Sequence, residues 1–200
     1  MTVVSSSISV VIPVYNSEDS LPLLIQRIEP ILQSLTSQYE LIFVNDGSRD
    51  NSWQRIEELS KSYPWITGIN LMRNYGQHNA LLCGIRAARN EIVVTMDDDL
   101  QNPPEQIPAL ITKLHDGYDV VYGTPDKEQH GFWRNRASQI SKLILQESMG
   151  AQTARSASAF RAFRKDVRSA FDHYQSAYVS IDVLLTWGTT RFTAIPVQHD

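Results

Sequence analysis

Three consecutive aspartates, Asp97 to Asp99, follow a short apolar run, Ile92 to Met96. The run is rich in β-branched residues and predicts a buried strand, so the acids lie at the strand's C-terminal end. Open α/β sheets hold their ligands in the crevice outside these strand ends. Because side chains alternate along a strand, we expect Asp97 and Asp99 on one side and Asp98 on the other.

Two carboxylates on the same side of a strand repel each other unless a cation joins them. A hard divalent ion such as Mg²⁺ suits Asp97 and Asp99, because it binds one or two carboxylates and completes its shell with water and phosphate oxygens. Gln101 adds a neutral oxygen nearby. The alternative is a solvated acidic loop or a helix cap, which short acidic clusters also form.

Alternating strand and helix patterns must position these acids. Besides the strand before the aspartates, strands are predicted at 8–14, 39–44, 66–71, 119–123, 158–163 and 191–197. Helices are predicted at 18–35, 51–62, 77–89, 105–115, 133–149 and 178–187. This alternation predicts an α/β fold with a mostly parallel, Rossmann-like sheet and helices on both faces. No repeat, low-complexity segment or linker interrupts it, so we expect a single domain over residues 1–200.

The composition is that of an ordinary globular protein, with 42% hydrophobic and 20% charged residues in a chain of 200. The net charge of −4 supplies no basic field for nucleic acid or anionic lipid. Cys83 is the only cysteine, so no internal disulfide forms and a reducing compartment is expected. The N-terminus has no signal-peptide pattern, and no apolar run approaches the roughly 20 residues that span a bilayer. These features predict a cytoplasmic location.

The loops after four predicted strands bring polar residues to one edge of the sheet. These residues are Tyr15, Asn16, Glu18, Asp46, Arg73 and the three aspartates. The chain has neither a GxGxxG nor a GxxxxGK[ST] motif, which argues against a dinucleotide cofactor and a P-loop hydrolase. Phosphates would instead be bound by a metal on the aspartates, helped by Arg73.

Four motifs occur in order after the first four strands: PVYNSEDSL, VNDGSRDNS, RNYGQHNAL and MDDDLQNPPE. Together they resemble the family 2 glycosyltransferases of the GT-A fold. The DLQNPPE stretch and the later SAFRAFR segment most resemble the polyprenyl-phosphate and dolichyl-phosphate sugar transferases. The likeness covers nearly the whole chain.

The resemblance implies an inverting transfer of a sugar from a UDP- or GDP-type nucleotide sugar, with Mg²⁺ or Mn²⁺. It implies a nucleotide pocket formed by Pro13, Tyr15, Asn16, Glu18, Asp46, Arg73 and Asp97. It places the metal on Asp99 with Gln101, and Asp97 near the metal or the ribose. A lipid phosphate acceptor would be held by Arg134, Arg136, Arg161 and Arg164. Asp97, Asp99, Arg134 and Arg136 are then the candidate catalytic residues.

A phosphate acceptor is already largely ionised near neutral pH, so it needs positioning more than deprotonation. Many relatives carry an aspartate shortly before the SAFRAFR-like segment, whereas residues 152–157 contain no acid. A general base, if one is needed, would come from elsewhere, with Asp98 and Asp182 as candidates. The chain also stops where relatives continue, often into membrane helices. We therefore expect a natural protein at the cytoplasmic face of a membrane.

Alternatives remain at this stage. A saccharide hydroxyl in cell-surface polysaccharide synthesis is a rival acceptor, and a non-catalytic nucleotide-sugar binding module is a rival function. Nucleotidyl transfer is disfavoured because PVYNSEDSL has neither glycine nor lysine. Asp46 and Asp50 are also typical of turns and helix caps, and Arg134 and Arg136 of a solvated helix face.

Overall fold

The structure, a computed structural model, describes residues 6–125 and 156–198. Its strands are β1 (Ile8–Val14), β2 (Tyr39–Asn45), β3 (Ile66–Asn70), β4 (Ile92–Thr95), β5 (Val120–Pro125), β6 (Arg161–Arg164) and β7 (Phe192–Val197). Its α-helices are α1 (Ser20–Leu35), α2 (Ser52–Ser62), α3 (Gln77–Ala87), α4 (Ile107–His115) and α5 (Ile181–Gly188). Short 3-10 helices cover Pro104–Gln106 and Lys165–Ala170.

The described strands form one sheet in the order β3-β2-β1-β4-β6-β5-β7. The pairs β3-β2, β2-β1, β1-β4 and β5-β7 are parallel. Only β6 runs against its neighbours β4 and β5 within the described part of the chain. The C-terminal ends of the first four strands therefore share one edge, as the strand and helix alternation predicts.

Two apolar layers cover the faces of this sheet, because alternate strand residues point to opposite sides. On one face α1, α2 and α4 pack on Val10, Ile12 and their neighbours. On the other face α3 and α5 pack on residues that include Val11 and Val93. Strand β1 is buried over its whole length, as expected for a parallel strand covered on both sides.

The sequence-based boundaries of the first four strands agree with the structure to within about one residue. Helix α1 is continuous through Pro30, although a proline inside a helix favours a kink or a break. The strand predicted at 158–163 begins only at Arg161. The helix predicted at 133–149 lies outside the described residues. Within the described ranges no helix is long and apolar enough to cross a membrane.

Candidate donor-binding site

The first loop of the site edge follows β1 and contacts the loop after β2. The Asn16 N–H donates to Ser48 Oγ at 3.0 Å, and the Arg49 N–H donates to Asn16 Oδ1 at 2.8 Å. Asn16 adopts a φ of 55°, a left-handed conformation that asparagine tolerates better than most residues. The side chain of Asn16 therefore joins the first two loops of the edge. Tyr15 beside it is exposed.

A second pair of hydrogen bonds joins the same two loops further from the strands. The Glu18 N–H donates to Asp50 Oδ2 at 3.2 Å, and the Asn51 N–H donates to Glu18 Oε2 at 2.9 Å. Each carboxylate thus accepts a main-chain hydrogen bond from the other loop. Pro13, which was predicted to line the nucleotide pocket, is buried inside β1. Glu18 therefore joins the first two loops of the edge, and Pro13 lies within the strand that precedes them.

Asp46, at the end of β2, contacts the loop after β3. Its Oδ1 accepts the Tyr75 N–H at 2.7 Å and its Oδ2 accepts the Gly76 N–H at 2.9 Å. The residue is 3% exposed. The next residue, Gly47, has a φ of +69°, and a Cβ there would lie 2.5 Å from the Arg73 carbonyl carbon. Asp46 and Gly47 together fix the loop that carries Arg73.

Arg73 itself is exposed at this edge, and its guanidinium lies 4.7 Å from the centroid of the Tyr75 ring. Such a cation on an aromatic face keeps its outer side open to an anionic ligand. The structure thus brings together Tyr15, Asn16, Glu18, Asp46 and Arg73, as the strand order predicts.

Each of the three aspartates accepts a hydrogen bond from a different residue. The Gln77 side-chain amide, at the start of α3, donates to Asp97 Oδ1 at 2.5 Å. The Tyr15 N–H donates to Asp98 Oδ2 at 3.3 Å, and the Gln101 N–H donates to Asp99 Oδ1 at 3.1 Å. The prediction that Asp97 and Asp99 share one side of a strand was wrong, because it assumed that the acids continue the strand. Strand β4 ends at Thr95, so all three acids lie in the turn that follows.

The charge of this turn is poorly compensated by the described residues. Burial and, to a lesser extent, the neighbouring charges of Asp99 and Asp98 together raise the pKa of Asp97 to about 6, against the opposing charge of Arg161. Burial also raises the pKa of Asp98, against hydrogen bonds from Ser17 and the Tyr15 N–H. A cation would relieve this repulsion, so the turn fits the expected divalent ion.

The ligand set available for that ion consists of oxygens. Asp99 and Gln101 are both exposed, whereas Asp97 is partly buried. Within the ranges 6–125 and 156–198 no group of three or more His, Cys, Asp or Glu side chains is arranged to hold a metal. One or two carboxylates completed by water and phosphate oxygens are the usual magnesium arrangement, and this edge matches it.

The model of the family described as Glycosyl transferase family 2 matches residues 9–172 of this chain. This match covers well over half of the 200 residues. The chain belongs to glycosyl transferase family 2. All four motifs at the sheet edge lie inside the matched segment.

Solved structures of similar fold include glucosyl-3-phosphoglycerate synthase from Mycobacterium tuberculosis with Mn²⁺, UDP-glucose and phosphoglyceric acid. It superposes with a TM-score of 0.68 at 19% identity, over 96% of this chain and 69% of that one. The same enzyme with Mn²⁺, UDP and glucosyl-3-phosphoglycerate gives a TM-score of 0.69 at 20% identity, over 96% and 70%. S. aureus TarS gives 0.61 at 18%, over 96% and 59%. These likenesses show the GT-A fold of this family 2 chain.

Of the four arginines predicted to hold an acceptor, two fall within the described residues. Arg161 begins β6 beside Thr95 and is 1% exposed, in contact with Asp182. Arg164 pairs with Ile92 at the other end of β4, because β6 is antiparallel. It donates to the Leu114 carbonyl at 3.1 Å. Arg164 therefore lies at the opposite edge of the sheet from the acidic turn, away from the other predicted site residues. Arg134 and Arg136 lie outside the described residues.

Sequence reasoning missed two residues that contact candidate site residues of this family 2 chain. Gln77 was predicted only as the start of a helix, although its amide contacts Asp97. Tyr122, on β5, donates its hydroxyl to Asp182 Oδ1 at 2.9 Å and lies beside Arg161 in the sheet. The RNYGQHNAL motif already contained Gln77 and gave a usable signal. Nothing in the sequence indicated Tyr122, because its role depends on the pairing of β5 with β6.

Proposed function

We propose that this chain transfers a sugar from a UDP- or GDP-type nucleotide sugar with the help of Mg²⁺ or Mn²⁺. The observation that carries the proposal is the position of Asp97. Its carboxylate lies at the C-terminal edge of the parallel sheet, with its pKa raised by burial and by two neighbouring aspartates. The Mn²⁺ and UDP-glucose complex of the M. tuberculosis enzyme, which has the same fold, supports this choice of ligands.

In this proposal Asp97, Asp99 and Gln101 hold the cation, and Tyr15 and Arg73 contact the donor from the neighbouring loops. Asn16, Glu18 and Asp46 keep those loops in place through main-chain hydrogen bonds. A bound divalent ion would stabilise the negative charge that develops on the departing nucleoside diphosphate. Arg73 adds a second positive charge on the solvent side of the same edge.

We propose a polyprenyl phosphate as the acceptor, and a cytoplasmic membrane face as its place of reaction. The resemblance of DLQNPPE and SAFRAFR to lipid-phosphate sugar transferases supports this choice. So does the state of Asp182, whose carboxylate is engaged by Arg161 and Tyr122 and is not free to act as a base. A phosphate acceptor needs no base, because it is already ionised. Arg134 and Arg136 are the residues proposed to hold it.

A saccharide hydroxyl is the second candidate acceptor, and one observation favours it. A hydroxyl must lose its proton during transfer, and burial raises the pKa of Asp98 toward the range in which a carboxylate is an effective base. The Asp98 carboxylate accepts the Tyr15 N–H at 3.3 Å, a long hydrogen bond that an acceptor hydroxyl could displace.

Labelled UDP- and GDP-sugars, each with Mn²⁺, test the proposal when offered with a polyprenyl phosphate in detergent or with an oligosaccharide. Labelled lipid together with free nucleotide is the expected result, and Asp99→Ala should abolish both. Asp116→Ala is the matched control, because Asp116 is an exposed aspartate bonded to Lys113 in the turn before β5.

Two results would overturn parts of the proposal. Labelled oligosaccharide in place of lipid would replace the acceptor and leave the donor site standing. Donor binding without nucleotide release for either acceptor would instead indicate a non-catalytic nucleotide-sugar binding module.

A further inference from the structure

Arg161 is a buried arginine next to the acidic turn. It is the first residue of β6, and it pairs with Thr95 of β4 on one side and with Tyr122 of β5 on the other. Thr95 precedes Asp97 by two residues. Only 1% of the Arg161 surface is exposed, so its guanidinium lies inside the protein. The fold thus holds a permanent positive charge beside the proposed cation site.

The positive charge of Arg161 is paired with one carboxylate. Arg161 Nη1 forms an ion pair with Asp182 Oδ1 at the start of α5, and the Tyr122 hydroxyl donates to the same oxygen at 2.9 Å. The Arg161 guanidinium carbon lies 5.6 Å from the centroid of the Tyr122 ring. Arg161 Nε is buried and has no hydrogen-bond partner among residues 6–125 and 156–198, so one donor of the guanidinium is unused within the described part of the chain.

Asp97 is the second carboxylate within electrostatic reach of Arg161. Although burial and the charges of Asp99 and Asp98 dominate its pKa, the Arg161 charge acts on it in the opposite direction. An arginine moved onto Asp97 would neutralise it and compete with a divalent ion for the same oxygens. If Asp182 lost its charge, the buried guanidinium of Arg161 would be left as an unpaired charge, which is unfavourable. Moving toward Asp97 would pair it again.

We propose that Asp182 is a positioning residue that retains Arg161 and thereby leaves Asp97 free to bind a divalent cation. This inference rests on the proposed function, since it concerns the cation site of the donor. It gives Arg161 a different role from the acceptor binding predicted from the sequence. It also gives Asp182 a role other than that of a general base.

Titration calorimetry of Mn²⁺ into the purified chain, with saturating UDP or GDP, tests the inference without measuring activity. Asp182→Asn keeps the shape of the side chain and removes its charge. We expect it to raise the Kd for Mn²⁺ by about tenfold or more, as loss of an outer-shell partner of a metal site does. Asp182→Glu, which keeps the charge, should stay close to wild type.

Asp119→Asn is the matched control for charge removal at a buried ion pair. Asp119 is 7% exposed and binds Arg191 at 2.7 Å, but it precedes β5 at the opposite edge of the sheet. Its substitution should leave the Kd for Mn²⁺ unchanged. The double variant Asp182→Asn with Arg161→Met should regain the wild-type Kd, because the competing cation is gone.

The single variant Arg161→Met separates competition from a merely structural role, and it serves if Asp182→Asn does not fold. Competition predicts Mn²⁺ binding as tight as in wild type or tighter. Weaker binding in Arg161→Met, or an unchanged Kd in Asp182→Asn, would overturn the inference while leaving the proposed function intact. Failure of wild type itself to bind Mn²⁺ with either nucleotide would remove the proposed cation site, and the inference with it.

Discussion

Asp46 and Gly76 lie 30 residues apart in the chain, yet the Gly76 N–H donates to Asp46 Oδ2 at 2.9 Å. The other carboxylate oxygen accepts the Tyr75 N–H at 2.7 Å. The end of β2 therefore holds the loop after β3 through two charge-assisted hydrogen bonds, which are stronger than neutral ones. This loop carries Arg73, which is proposed to contact the donor. The position of Arg73 therefore depends on the Asp46 carboxylate, although Asp46 itself need not contact the donor.

Asp46→Asn should release that loop. The NH₂ group of the asparagine amide would face one of the two main-chain N–H groups, and two donors form no hydrogen bond. One hydrogen bond is therefore lost, and the free energy of unfolding falls by about 1–3 kcal/mol. Hydrogen exchange at the Tyr75 and Gly76 amides should become faster, and donor affinity should fall with it. Asp116→Asn is the control, because that aspartate is exposed. Unchanged exchange at both amides would show that Asp46 does not hold the loop.

Gly47→Ala tests the close approach between the same two loops. The new Cβ would lie 2.5 Å from main-chain atoms of Arg73 and Asn74, and the φ of +69° is unfavourable for alanine. Gly117 also has a positive φ, +101°, but a Cβ there meets no atom within 4 Å. Gly117→Ala should therefore cost only about 1 kcal/mol, and Gly47→Ala clearly more. Equal losses in denaturant unfolding would rule out the steric contact.

Asp97→Asn should stabilise the metal-free protein near neutral pH. The folded-state pKa of Asp97 is raised to about 6, from 3.8. A carboxyl group whose pKa is raised by folding destabilises the folded state at pH values above that raised pKa. The destabilisation vanishes at pH values below the pKa of the unfolded state. We expect a gain of up to about 3 kcal/mol at pH 7 or higher, shrinking between pH 6 and pH 4. Thermal unfolding at several pH values measures it, and a difference that does not depend on pH would contradict the assignment.

The parallel half of the fold was predictable because it is encoded locally. Strand β1 was predicted at 8–14 and is found at Ile8–Val14, since a strand buried on both faces reads as an unbroken apolar run. The antiparallel insertion of β6 between β4 and β5 was not predictable. Its four residues include two arginines, and its partners lie far away in sequence.

The acidic turn could be predicted as a site, but the environment of each acid could not. Asp97 to Asp99 follow a strand whose end at the sheet edge is visible in the sequence. Which element each acid contacts depends on loops up to 83 residues away, as for Tyr15 and Asp98. Arg161 shows the same limit, because a buried arginine is understood only once Asp182, 21 residues later, is placed beside it.

The central claim is that the acidic turn binds a metal together with a nucleotide. Calorimetric titration of the wild-type chain with UDP and GDP, with and without Mn²⁺, tests it most directly beside Asp99→Ala and Asp116→Ala. We predict that one nucleotide binds only with Mn²⁺, that Asp99→Ala weakens this binding by about 100-fold or more, and that Asp116→Ala leaves it unchanged. Nucleotide binding that needs neither the metal nor Asp99, or no binding by the folded wild type, would contradict the account.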